Sequence, residues 1–191
     1  MSLRPEQVRA RQYLDERGTR LPAPRIAERV GAAFAATDAV LAEVTEAEAG
    51  RRALPGEWTV QEVVDHLVET HRPSLDELRD LLAGRRPPAG PIPAGLQSAE
   101  PMARRFPELV EELRGLHARI LEVLSRAPDR PTAARAPVVM VINAREPDGS
   151  ERPLHWVEDL DWKAYAIIFR LHEVDHLGQI KKVLAAARAA A

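Results

Sequence analysis

Apolar residues recur at helical spacing in four separate stretches of this chain, and that periodicity points to helix-on-helix packing. In the first stretch, Pro24 opens a helix carrying Ile26, Val30, Phe34, Leu41 and Val44, expected to stop at Gly50. The second starts at Thr59-Val60-Gln61-Glu62, a capping-box pattern, and shows Val60, Val63, Val64, Leu67 and Val68 on one face. Pro73 is expected to kink or end it, with Ser74-Leu75-Asp76-Glu77 as a second box restarting the helix as far as Ala83. A third helix is predicted from about Met102 to Arg126, with Phe106, Leu109, Val110, Leu113, Leu116, Ile120 and Leu124 as its stripe. The last runs from about Asp161 to Ala189. Aromatic residues are only 4% of the chain, which favours helix over sheet.

The connections are as informative as the helices. Five prolines and three glycines lie between Gly84 and Pro101, which excludes regular helix there. Residues 128–159 read as an irregular insertion in which Val138–Ile142 is strand-like and Asp148-Gly149 could close a small hairpin. Glu6–Glu16 forms a short amphipathic piece closed by Gly18. The expected architecture is therefore all-α, a four-helix bundle with a short N-terminal helix and an irregular or hairpin insertion before the last helix. An extension over 1–22 precedes a bundle domain over 23–191.

Composition narrows the chemistry. With 191 residues, one domain with its own core is expected. Lys and Arg total 27 against 29 Asp and Glu, so no global basic field invites nucleic acid or anionic membrane. No 18-residue apolar run occurs, and Met1–Glu6 lacks the apolar core of a signal peptide, so a cytoplasmic location is expected. The chain has no cysteine, which excludes disulfides, thiolate nucleophiles and Cys-ligated metals. What remains is chemistry built from imidazoles, carboxylates and hydroxyls.

Six histidines are the whole imidazole supply. His172 and His176 stand at i and i+4, which projects both rings onto one helix face about 5.4 Å apart along the axis. They share that face with Tyr165, Ile168 and Phe169, so they point towards other helices, and both can reach one ion. A third ligand must come from elsewhere. His66 lies on the boundary of its helix stripe, whereas His71 and His117 lie nearer the centres of theirs; by burial alone His117 is the stronger choice.

The stretch Trp58-Thr59-Val60-Gln61-Glu62-Val63-Val64-Asp65-His66-Leu67, followed by His172-Glu173-Val174-Asp175-His176-Leu177-Gly178-Gln179-Ile180, resembles the DinB/YfiT-like superfamily of four-helix bundles. The resemblance covers the chain from the first long helix to its end and implies a metal triad of His66, His172 and His176. It leaves the first twenty residues and segment 128–159 without a counterpart. Family members often carry another His just before the last ligand; this chain has Asp175 there. Homodimers are common in the superfamily, and the resemblance carries that expectation here.

Other residues have ordinary readings as well. Glu62 is first a helix cap and only then a carboxylate near a metal; Trp58 packs at the helix start. His71, beside Pro73, reads as structural or exposed, and His155 lies in a loop near Trp156 that could approach the metal mouth. Asp175 and Gln179 could orient ligand rings or be solvated; Tyr165 could offer its phenol to a cavity or simply pack. Three neutral imidazoles leave a divalent ion, zinc or nickel first, with an open position, the arrangement of a catalytic centre. A hydrolase acting on a small molecule through activated water, with Glu62 or Asp175 as the carboxylate, is the first expectation. A metal-dependent S-transferase using a low-molecular-weight thiol (bacillithiol or mycothiol type) is the alternative. A stress-related metal-binding bundle without turnover is the third.

Overall fold

The computed structural model describes residues 3–146 and 148–189, so the outer ends of the two expected stretches, 1–22 and 23–191, lie outside the described residues. Four long helices form the bundle: α2 (Ala23–Leu41), α4 (Val60–Leu82), α5 (Phe106–Ser125) and α6 (Trp162–Ala189). A short α1 (Pro5–Leu14) and a one-turn α3 (Glu46–Ala49) accompany them. Helix α2 packs against α5 and α6, and α4 packs against the same two, so α2 and α4 lie on a diagonal. Such non-sequential order needs long connections, and 83–105 and 126–161 provide them. Among the described residues, no helix is long and apolar enough to cross a membrane.

The fold is not strictly all-α. Residues 128–159, expected to be mostly irregular, hold a hairpin of two ten-residue strands, β1 (Ala136–Arg145) and β2 (Glu151–Leu160). They pair antiparallel from Ala136 opposite Leu160 to Arg145 opposite Glu151, around a turn with Gly149 at φ 84°. Pro137 and Pro153 sit inside these strands. Both strands are edges of a two-stranded sheet, so a residue lacking its N–H is tolerated there.

Three helix boundaries differ from expectation. Helix α2 ends at Leu41 rather than Gly50, because Thr45 opens a separate box: its Oγ accepts from Glu48 N, and its own N–H donates to Glu48 Oε2 at 2.8 Å. Helix α5 begins at Phe106, not Met102, because Pro107 suits a first helical turn and Met102 is exposed. Helix α4 runs unbroken through Pro73. Leu75, Leu78 and Leu81 continue the buried face past the proline, so packing outweighs the lost backbone bond. Glu77 is no cap: it is buried and accepts a hydrogen bond from the Tyr165 hydroxyl at 2.5 Å.

Helix α6 is started by Asp161, whose Oδ1 accepts from the Lys163 and Ala164 amides at 2.9 and 3.2 Å. Its Oδ2 accepts from Thr19 at 2.7 Å, tying the N-terminal segment to the bundle. After Leu14 the chain widens into a π-helical turn, Asp15–Thr19, whose Gly18 lies flat against α6. A Cβ on Gly18 would stand 2.7 Å from Ala164 Cα, so only glycine permits this approach. The core runs the length of the bundle, with Ile26, Phe34, Leu67, Leu113, Trp162 and Ile180 sealed from solvent.

Candidate metal centre

Thr59 sets the position of His66. Its side chain accepts from Glu62 N at 3.1 Å while its own N–H donates to Glu62 Oε2 at 2.6 Å, fixing where α4 starts. His66 stands almost two turns later and is fully buried. Its helix stripe placed it at a boundary; burial comes from a second cover, the proline-rich segment between α4 and α5. There Ser98 donates from N and Oγ to the two oxygens of Asp65, at 2.9 and 2.7 Å, and Gln97 Nε2 donates to the Glu62 carbonyl at 2.9 Å. The same segment turns the Leu96 carbonyl onto His66 Nδ1 at 2.6 Å.

From α6, His172 and His176 come down on this ring. His66 Nε2 is 2.9 Å from His172 Nε2, which is 3.1 Å from His176 Nε2. His176 Nδ1 faces Gln179 Oε1 at 2.9 Å. A carbonyl oxygen only accepts, so Nδ1 of His66 donates to Leu96 and Nδ1 of His176 to Gln179. Their Nε2 atoms then carry lone pairs, both turned on His172 Nε2 across a very small space. Burial, followed by repulsion from His176, lowers the pKa of His66 to about 4. Burial, then His176, His71 and His66, holds His172 well below its usual value. A proton on His172 Nε2 can serve only one of the two lone pairs, whereas a cation between them engages all three nitrogens. Nitrogen ligands at ~2.0–2.1 Å around a tetrahedral zinc would lie about 3.3 Å apart. The donor set therefore fits a divalent cation, with ring orientations already held by Leu96 and Gln179.

Trp58 is half-buried, but it does more than close the helix start. Its ring lies 5.1 Å from that of His66 and stacks within 12° of His176 at 6.3 Å. A cavity of about 580 Å³ opens from the three histidines towards β1. Aliphatic side chains dominate its walls: Val138, Met140 and Ile142 from the hairpin, Ile92 from the proline-rich segment, and Ile168 and Leu171 from α6. Its charged lining groups are carboxylates, Asp175 beside the histidines and Glu77 hydrogen-bonded to Tyr165. Burial raises the Glu77 carboxyl, with the Tyr165 hydrogen bond opposing it. Tyr165 thus serves the cavity and not only the core. His155 reaches the cavity from β2, as an exposed strand residue rather than one in a loop.

Glu62, the other carboxylate considered for catalysis, is not among the cavity's lining residues. Its oxygens are taken by the Thr59 amide and by Arg52 Nη2 at 2.6 Å. Burial pushes its pKa up, but these hydrogen bonds and the Arg52 charge bring it below the usual value. Replacing Glu62 by Ala should lower stability by roughly 0.5–1 kcal/mol, as for a lost helix cap. The urea midpoint should fall while metal content stays at the wild-type level; lost metal would give Glu62 a larger part.

His71 and His117 do not join the three converging histidines, and neither is exposed. His117 contacts Asp38 and Glu173, and stacks on Phe34 with ring centres 3.9 Å apart. Sequence reasoning overlooked the Leu96 carbonyl and Glu173. A proline-rich loop gives no sign of which carbonyl it will present, whereas Glu173, next to His172 and at helical spacing from Phe169, carried a weak signal of burial.

A family model described as the DinB superfamily matches residues 29–180, a span that contains His66, His172 and His176. Among solved structures the chain is similar to YfiT from Bacillus subtilis, a probable metal-dependent hydrolase with an unusual four-helix bundle topology. The TM-score is 0.60 at 17% sequence identity, over 95% of this chain and 88% of YfiT. At that identity the likeness speaks for the fold. No curated protein sequence matches this one.

Proposed function

The chain belongs to the DinB superfamily, and we propose that it is a metal-dependent hydrolase whose ion is held by His66, His172 and His176. One observation carries the reading: three Nε2 atoms meet at 2.9 and 3.1 Å while the Nδ1 atoms of His66 and His176 are occupied elsewhere. Three nitrogen donors suit zinc or nickel. Such an ion, when bound, supplies Lewis acidity at the end of the cavity, lowering the pKa of a water or thiol that reaches it. The fold shared with YfiT, itself described as a probable hydrolase of this kind, supports the same reading.

The chain's own groups have distinct tasks. Leu96 and Gln179 hold two imidazoles in the tautomer that leaves Nε2 free, so little reorganisation is needed for binding. Asp175, an exposed residue that also lines the cavity one residue before His176, is the carboxylate we assign to accept a proton from the nucleophile. The aliphatic walls exclude bulk water and favour an uncharged substrate. Away from the ion, and among the described residues, the cavity lining offers no Lys or Arg to receive the carboxylates of a low-molecular-weight thiol, which ranks hydrolysis above S-transfer.

The test is turnover of a panel of amides and esters by the zinc- and nickel-loaded chain, beside low-molecular-weight thiols offered with electrophiles. Metal-dependent hydrolysis is expected. Asp175→Asn should lower it about 10²–10⁴-fold, the usual range for a positioned general base, with metal content unchanged. Thiol-dependent conjugation without hydrolysis would sink the hydrolase reading.

A further inference from the structure

Side chains from all four long helices meet at another buried point of the bundle. Helix α4 brings His71, α5 brings His117, α6 brings Glu173, and α2 brings Thr37 and Asp38. His71, His117 and Glu173 are 1%, 2% and 0% exposed. Glu173 Oε1 lies 3.0 Å from His117 Nε2 and 3.6 Å from His71 Nε2, and the donor atoms of all three lie within 4.8 Å of one another. Glu173 Oε2 accepts from the Thr37 hydroxyl at 2.5 Å, and His117 Nδ1 faces Asp38 Oδ1 at 3.2 Å. His71 alone has no hydrogen-bond partner at either ring nitrogen. A buried imidazole with two idle nitrogens is out of keeping with protein interiors, where buried polar atoms are almost always engaged.

We infer that His71, His117 and Glu173 form a further metal centre, binding a divalent first-row transition ion through His71 Nε2, His117 Nε2 and Glu173 Oε1. Two imidazoles and one carboxylate are a common donor set for such ions. Separations of 3.0 and 3.6 Å bracket the ~3.3 Å expected between neighbouring ligands with bonds of ~2.0–2.2 Å. Asp38 stands where metal-bound histidines usually find a carboxylate, at the far nitrogen of His117. The charges of Glu173 and Asp38 balance a 2+ ion. A proton between His117 and Glu173 also satisfies that pair, but it leaves His71 idle; an ion engages all three. His71 also lines the cavity, which gives an ion a route in. Bundle cores built from facing helices are established places for metals.

The experiment is metal stoichiometry of the full chain, stripped with chelator, reloaded with Co²⁺ or Zn²⁺ and freed of excess. Wild type should retain two equivalents, Glu173→Gln one, His71→Phe one and His66→Ala one. The His66→Ala/Glu173→Gln pair should retain none. Asp38→Asn should weaken one equivalent about 10–100-fold and leave the other alone. Glu173→Gln keeps an oxygen for Thr37. Should it fail to fold, as read by far-UV circular dichroism, His71→Phe decides the matter, its ring seated between Phe34 and Phe169. One equivalent in wild type, removed by His66→Ala, overturns this inference and leaves the three-histidine centre standing. One equivalent spared by His66→Ala and removed by Glu173→Gln does the reverse. Two equivalents undiminished in both Glu173→Gln and His71→Phe also overturn it.

Discussion

Replacing His66 by Ala should cost the protein one equivalent of zinc or nickel and about a thousandfold in hydrolysis. The first figure follows from geometry. His66 contributes the donor from α4, and with it gone the ion would rest on two imidazoles of a single helix. The second follows from what a Lewis-acidic centre supplies, several kcal/mol of transition-state stabilisation at ~1.4 kcal/mol per tenfold in rate. Gln179→Ala should act more mildly, weakening the same equivalent by roughly 10–100-fold, because it frees the His176 ring without removing a donor. Elemental analysis after gel filtration measures both. Full metal content in His66→Ala would end the proposal that the three rings form a centre.

The metal-free chain should lose stability between pH 6.5 and about 4. In the folded state the pKa of His66 is lowered to about 4, from an ordinary 6.5, by burial and then by the neighbouring His176. His172 and His71 are likewise held well below the ordinary value, with burial the leading cause. Across this interval the unfolded chain binds more protons than the folded one, so stability rises with pH. It is fully present above 6.5 and lost as acidity approaches the folded pKa. One pKa unit corresponds to about 1.4 kcal/mol, so His66 alone accounts for roughly 3 kcal/mol. For a domain of this size that is about 6–12 °C in melting temperature. His117 works the other way: burial lowers it, but Asp38 and Glu173 together raise it above 6.5. Its contribution is therefore complete at low pH and fades as pH climbs through that raised value. Zinc should recover part of the acid loss, since binding to the folded state alone adds stability. Thermal melts of chelated and zinc-loaded protein from pH 7 to 4.5 test this; coincident, flat profiles would remove its basis.

Why some of this was visible in the sequence and some was not has physical causes. The i, i+4 pair at His172 and His176 lies within one helix, so local geometry alone brings the rings together. The start of α4 was equally legible, because a capping box is written in four consecutive residues. His66 was different. Its burial depends on the fold of a proline-rich segment thirty residues away, and no periodicity along α4 can report that. The motif resemblance, not the helix stripe, singled it out. Pro73 misled because Ser74-x-x-Glu77 has the spacing of a capping box, whereas Ser74 Oγ bonds back to the Thr70 carbonyl and Glu77 is claimed by Tyr165. The full length of the hairpin is hard to read from sequence for a related reason: Pro137 and Pro153 argue against strand, an argument that weakens when each strand is an edge.

One wall of the cavity is a piece of chain that supplies neither histidine cluster. The hairpin is buried at Ala136 and Leu160. The N-terminal segment is tied to it by ion pairs of Arg4, just before α1, with Glu146 in the turn and of Arg11 in α1 with Glu158. Exchanging Val138, Met140 or Ile142 for larger or smaller side chains would redraw the profile facing the substrate while the helices keep their ligands in place. Selectivity and reactivity thus sit on different stretches of sequence, and a lineage could retune what it consumes without rebuilding how it reacts.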